Sequence, residues 1–166
     1  MRYLIKERFF ALGDDSDVMD EAGRPVFKVD GKVMTLRDRL VIRDLDGREV
    51  AGVHRKLVAL RATYEVSVGG QQAARVRKHL FTPFRDSFTI DVPGPDDLEM
   101  TGNLLDHDFT IRRGDEVVAT VSKHWLTLRD TYGVETAPGQ DDLLILASVL
   151  ALDLAEDRER EQRGKG

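Results

Sequence analysis

The chain repeats one short pattern, in which a glycine-containing turn is followed by an apolar strand and then by a lysine. A valine stands six positions after each of Gly23, Gly47 and Gly70. The Asp-Gly and Gly-Gly steps supply the positive φ angles that tight hairpin turns need. Because side chains alternate between the faces of a strand, each copy turns a small apolar set to one side. The pattern therefore predicts repeated β-hairpins, with copies over 20–29, 44–53, 69–76 and 113–121.

Further strand-like stretches lie between these copies, and prolines separate several of them, as they do at strand ends. Roughly a dozen short strands in one domain imply a closed barrel or a sandwich of two sheets. The additional stretches cover residues 3–11, 40–43, 62–68, 86–92, 100–104, 109–112, 125–128 and 131–135.

One segment, residues 141–157, has the composition of a helix, because it is rich in the strong helix formers Leu and Ala and contains no Gly or Pro. Asp141 and Asp142 suit its first turn, where carboxylates meet unpaired N–H groups. Residues 143–152 are apolar around the whole circumference except at Ser148. A helix that is apolar on all sides is buried on all sides, and a domain of strands can bury it only in its interior. We therefore predict a mainly β fold, a closed barrel around a central hydrophobic C-terminal helix.

The length of 166 residues fits one domain, which we assign to residues 1–158, with a polar tail at 159–166 that we expect to be disordered. Charges interrupt the N-terminus before a secretory signal could form, and the longest apolar run is half of a membrane span. Cysteine is absent, which fits a reducing compartment. We expect a cytoplasmic monomer.

The order of these features resembles the LURP-one-related family of the tubby C-terminal-like superfamily, which also includes the phospholipid scramblases. The resemblance lies in the Asp-x-x-Gly-x-x-Val hairpins at Asp20 and Asp44 with a lysine after each, then in 132–134 and 141–142 before the apolar helix. It implies a barrel of about twelve antiparallel strands around a central helix. It implies little about activity, because most such proteins have no assigned reaction. Tubby proteins bind phosphoinositides at membranes, but no tubby lipid-site motif can be transferred to this chain.

Charge is unevenly distributed along the chain, although the net charge is only −5. Residues 54–85 carry seven Lys or Arg against the single acid Glu65, whereas residues 86–111 carry seven acids and no Lys or Arg. Such asymmetry can mark an electrostatic binding face. Alternatively, neighbouring strands of opposite charge pair across the sheet. The sequence leaves both interpretations open.

The basic strand is the best candidate for a binding site. Alternation over residues 73–80 places Arg75, Arg77 and His79 on one face, whereas Lys78 falls on the apolar face. Lys78 therefore lies either at a barrel rim or beside a bulge. Cations from an earlier hairpin can join the patch. The candidate anion-binding face consists of Arg55, Lys56, Arg75, Arg77 and Lys78.

Catalytic, metal and cofactor sites find no support in the sequence. Basic residues surround His54, His79 and His124, which disfavours a cation, and His107 between two aspartates is expected in a solvated turn. The serines lack a nucleophile elbow, and Gly69-Gly70 is a hairpin turn with no helix after it to receive a phosphate. We therefore assign no catalytic residue, no metal ligand and no cofactor, and favour a protein that is not an enzyme.

The leading functional prediction is a non-enzymatic binding or membrane-tethering module with an anionic partner, such as a lipid headgroup, acting peripherally at a membrane. Net acidity and the lack of aromatics among the cations disfavour nucleic acid. Two alternatives remain. One is an enzyme or small-ligand carrier that uses the barrel mouth, and the other is a protein-interaction domain.

Overall fold

The computed structural model describes residues 1–6, 15–30, 39–58, 61–79, 86–104, 106–123 and 131–165. They form a closed barrel in which every strand pairs antiparallel with the next, and β1 closes the ring on β12 through pairs such as Tyr3 with Val134. The predicted fold class is confirmed. The elements are β1 Arg2–Lys6, β2 Ser16–Asp20, β3 Pro25–Asp30, β4 Arg39–Arg43, β5 Glu49–Val58, β6 Arg61–Val68, β7 Gln71–Lys78, β8 Asp86–Asp91, β9 Leu98–Asn103, β10 Asp108–Arg113, β11 Glu116–Ser122, β12 Thr131–Thr136 and α1 Asp142–Gly164.

The predicted hairpins are confirmed, and the first two copies share one turn structure. Asp20 Oδ1 accepts hydrogen bonds from the N–H groups two and four residues later, and Asp44 Oδ1 does the same. Gly23 and Gly47 take φ angles of 77° and 84°, which a residue with a Cβ atom rarely adopts. All four repeated turns lie at the end of the barrel where α1 begins, because strands alternate in direction around the ring.

The helix α1 lies inside the barrel, as its apolar circumference predicts. Asp141 caps its first turn by accepting a hydrogen bond from the Leu144 N–H (3.1 Å). Every residue from Ile145 to Leu152 is at most 2% exposed, and these side chains pack with inward-facing residues of the strands in one core. The barrel is therefore filled by its own C-terminal segment.

The helix is longer than the sequence predicts. It continues to Gly164 instead of ending near residue 157, so residues 159–164, which were expected to form a disordered tail, are helical. Polarity alone does not prevent a helix here, because Glu, Arg and Gln are good helix formers and Gly164 is the first helix breaker.

Two predicted strands fall wholly or partly outside the described residues. The stretch at 125–128 lies entirely outside them, and only Tyr3 to Lys6 of the predicted strand at 3–11 lies within them, in β1. Within the described ranges, the helix lacks the combination of length and apolarity that crossing a bilayer requires.

Candidate functional site

The strand β7 shows the alternation that the sequence predicts. Ala74 and Val76 are buried and face the helix, whereas Arg75 and Arg77 are exposed on the outer wall of the barrel. His79 follows the strand and is also exposed. Arg75 and Arg77, two of the five candidate cations, therefore lie together on the outer wall.

Lys78 lies at the barrel rim, which was one of the two alternatives for this residue. It is the last residue of β7, and its ladder with β8 runs without a shift through the pair of Lys78 with Phe88. Phe88 is buried, and the Lys78 ammonium lies 5.8 Å from the centroid of its ring. Lys78 thus points inward, away from Arg75 and Arg77.

Arg55 also points inward. It pairs across the β5–β6 ladder with Tyr64, a buried core residue, whereas the next residue, Lys56, alternates to the outer wall. The structure therefore divides the five candidate cations into an outer group of Lys56, Arg75 and Arg77 and an inward group of Arg55 and Lys78. They do not share one face.

The outer group makes ion pairs with carboxylates of adjacent strands. Lys56 Nζ lies 2.8 Å from Glu65, and Arg75 lies 3.7 Å from the same carboxylate. Arg77 lies 2.7 Å from Asp91 on β8, and this hydrogen bond raises the pKa of the Arg77 guanidinium. Strands of opposite charge therefore do pair across the sheet, which was the alternative interpretation of the charge asymmetry.

Three more side chains continue this pattern beside Arg77, of which His79 and Glu99 are exposed and Thr89 is half-buried. The Thr89 hydroxyl contacts His79 Nε2 and donates a hydrogen bond to Glu99 Oε1 (3.0 Å). Glu99 Oε2 also lies 3.5 Å from His79 Nε2. The basic strand β7 thus faces carboxylates contributed by β6, β8 and β9.

A second polar cluster, which is not among the sites predicted from the sequence, lies at the barrel end opposite the repeated turns. The carboxylate of Asp153 on α1 accepts a hydrogen bond from the Tyr132 hydroxyl, and its other oxygen lies 2.9 Å from His107 Nε2. Asp153 is 9% exposed and Tyr132 is fully buried. We define these three residues as the Asp153 cluster.

The prediction that His107 occupies a solvated turn is wrong. Its side chain is 13% exposed and lies against Asp153, which is 46 residues away in the chain. The available signal was Asp153 itself, since a carboxylate directly after a fully buried apolar run needs a partner. Within the described residues, no three His, Asp or Glu side chains form a group that could hold a metal ion.

Comparison with known proteins decides the family. A family model described as LURP-one-related matches residues 1–153. The chain belongs to the LURP-one-related family. One relative is the uncharacterised protein YxjI of Bacillus subtilis, which is 30% identical to this LURP-one-related chain over 150 residues that cover 90% of each protein.

Two plant proteins extend this comparison. Protein LURP-one-related 6 of Arabidopsis thaliana is 29% identical over 150 residues, covering 82% of this chain and 78% of the relative. An X-ray structure of a protein from Arabidopsis thaliana superimposes with a TM-score of 0.67 at 17% identity, covering 93% of this chain and 91% of the other. The latter likeness shows that the LURP-one-related barrel architecture is shared.

Proposed function

We propose that this LURP-one-related protein is a non-enzymatic binding module whose partner presents anionic groups, and that these groups are phospholipid headgroups. The observation that supports the proposal is the layering of charge on the outer wall. The side chains of Lys56, Arg75 and Arg77 are 47%, 48% and 56% exposed, whereas their partners Glu65 and Asp91 are 21% and 29% exposed. An approaching phosphate therefore meets these three cations before the carboxylates of Glu65 and Asp91.

The ion pairing of Arg75 also favours an anionic partner. Lys56 and Arg75 share the single carboxylate of Glu65, so Arg75 has no carboxylate of its own among the described ion pairs. The Arg75 contact of 3.7 Å is longer than a normal hydrogen bond, which leaves its guanidinium donors able to reach an added phosphate oxygen.

A cavity-based enzyme or carrier is less favoured by the packing. The barrel interior, where such a protein would hold its ligand, contains the buried side chains of Ile145 to Ala155 on α1. A binding surface on the outer wall needs no such cavity. Under this proposal, the protein is cytoplasmic and associates peripherally with membranes.

Co-sedimentation with vesicles tests the proposal. Vesicles of phosphatidylcholine with phosphatidylserine should pellet the protein at low salt, and vesicles of phosphatidylcholine alone should not. Each cation near an anionic membrane contributes about 1 kcal/mol, or roughly a fivefold change in affinity. The double variant Arg75→Glu, Arg77→Glu should therefore lose most of the binding, and raised salt should weaken binding of the wild-type protein.

Arg2→Glu is the matched control. Arg2 also pairs with one carboxylate on the neighbouring strand, Glu135 at 2.6 Å, but it lies at the β1–β12 seam. The Arg2→Glu variant should pellet with anionic vesicles as the wild type does. Free inorganic phosphate as a competitor separates a general phosphate site from a surface that needs a membrane. The proposal fails if the wild type stays in solution with anionic vesicles, or if the double variant pellets equally well.

A further inference from the structure

The buried run of α1 carries little information about its own orientation. Residues 145–152 are apolar on all sides apart from Ser148, and the Ser148 hydroxyl donates to the Leu144 carbonyl of its own helix (2.7 Å). The amount of buried apolar area changes little when a helix of this kind is rotated or shifted along its axis, so a single position is selected by side-chain shape and by specific polar contacts. The polar contacts to the strands lie at the ends of the run.

Both ends of the run carry an aspartate that accepts a hydrogen bond from a tyrosine. The Tyr3 hydroxyl donates to Asp142 Oδ2 (2.6 Å) in the first helical turn, and the Tyr132 hydroxyl donates to Asp153 Oδ2. Burial and the Asp142 hydrogen bond raise the pKa of Tyr3, so this phenol keeps its proton for donation.

The two aspartates lie on one stripe of the helix. Asp153 follows Asp142 by eleven residues, which at about 100° per residue is within about 20° of three full turns. At about 1.5 Å per residue the two carboxylates are roughly 16.5 Å apart along the axis. They therefore mark one line along α1.

The two tyrosines lie on adjacent strands of the wall that this line faces, offset by two positions along the ladder. Tyr3 belongs to β1 and Tyr132 to β12, and these strands pair with each other, Ile5 opposite Tyr132 and Tyr3 opposite Val134. Tyr132 is further held by the imidazole of His107, which stacks on it and contacts Asp153. One stripe of the helix is thus attached at two points to one seam of the barrel.

We infer that the Tyr3–Asp142 and Tyr132–Asp153 hydrogen bonds form a two-point lock that sets the rotation and axial position of α1 in the barrel. A slip of one turn, about 5.4 Å, removes both donors from both carboxylates. A rotation by one residue, about 100°, turns Asp153 toward apolar side chains with no partner for its charge. The lock acts as a determinant of a single packing arrangement, a role for which buried polar groups are known in coiled coils.

Distance measurement between two spin labels tests the lock. The chain has no cysteine, so cysteines introduced at two exposed positions accept labels specifically. These positions are Gln71, near the end where α1 begins, and Lys165, after α1. The wild type should give one narrow distance. The variant Tyr3→Phe, Tyr132→Phe should give a broadened or second distance, together with amide exchange in 143–152 that is roughly 10- to 100-fold faster.

The control is Ser148→Ala, which removes a hydroxyl that bonds only within the described helix, and it should keep the single distance. Should the variant Tyr3→Phe, Tyr132→Phe fail to fold, the same distance measurement is made on the variant Asp142→Leu, Asp153→Leu. The leucine substitutions remove both hydrogen bonds of the lock while retaining apolar burial. An unchanged narrow distance in the folded lock variant overturns the inference. A second population supports it.

Discussion

His107 lies nearly flat on Tyr132, with ring centroids 4.2 Å apart and planes inclined by 17°. The backbone of His107 takes a φ of 46°, a left-handed conformation that few residues other than glycine adopt. This conformation brings the His107 imidazole from a turn between β9 and β10 to the helix. The contacts of the ring with Tyr132 and Asp153 offset the free-energy cost of the strained backbone.

His107→Ala should lower the free energy of unfolding by about 2 kcal/mol, because it removes a partner of a buried carboxylate and leaves an alanine at positive φ. Urea unfolding measures the difference. His54→Ala on β5 is the control, since His54 is exposed, and it should change stability by less than about 0.5 kcal/mol. Equal effects of the two substitutions would contradict a structural role for the Asp153 cluster.

Gly102→Ala should be among the most damaging small substitutions. A Cβ atom at Gly102, where φ is 148°, would lie 2.5 Å from the Asp108 carbonyl oxygen and 2.6 Å from Phe109 Cα, and backbone atoms cannot yield locally. We expect a loss of about 3 kcal/mol or more. Gly94→Ala separates strain from collision, because Gly94 has φ 121° but nothing within 4 Å of an added Cβ. The Gly94→Ala variant should lose only about 1–2 kcal/mol of its free energy of unfolding. Similar melting temperatures for the Gly102→Ala and Gly94→Ala variants would show that a steric collision at Gly102 is not the cause.

Leu146→Ala should lower the free energy of unfolding by about 2–5 kcal/mol, because Leu146 is fully buried at the centre of the barrel. Leu146→Asp should give no soluble folded protein, since it places an unpaired charge there. Leu45→Ala in the second hairpin turn is the control, because Leu45 is 59% exposed. Normal expression and melting of the Leu146→Asp variant would mean that α1 does not occupy the core.

Asp20 should contribute to the acid sensitivity of the protein. Hydrogen bonds from the Arg24 and Ala22 N–H groups and the Arg24 guanidinium hold the pKa of Asp20 below its usual value of 3.8. A depressed folded-state pKa means that stabilisation is complete above the unfolded pKa and is lost as pH falls through the folded one. The stability difference between wild type and Asp20→Asn should therefore shrink as the pH falls below about 4 and through the lowered pKa of Asp20.

Urea unfolding across this pH range provides the measurement. Asp46→Asn is the control, because Asp46 and its partner Arg48 are both 78% exposed. Its difference from the wild type should be small at every pH. A stability difference between wild type and Asp20→Asn that stays constant with pH would show that the pKa of Asp20 is the same in the folded and the unfolded protein.

Much of the barrel was predictable because its determinants are local. The Asp20 and Asp44 turns need a side-chain acceptor and a glycine within four residues, and both are visible in the chain. The burial of α1 was predictable for a similar reason, because an apolar circumference in an otherwise β domain has one place to go. Neither feature depends on which distant residues come into contact.

The candidate site depended on tertiary structure. By itself, the sequence determined that strands, hairpins and one buried helix form, and that cations precede acids along the chain. Only the strand register decided that Glu65 serves both Lys56 and Arg75, and only the placement of α1 in the closed barrel brought Asp153 to His107. Such partners are far apart in the chain, so no local preference specifies them; the geometry of ring closure does.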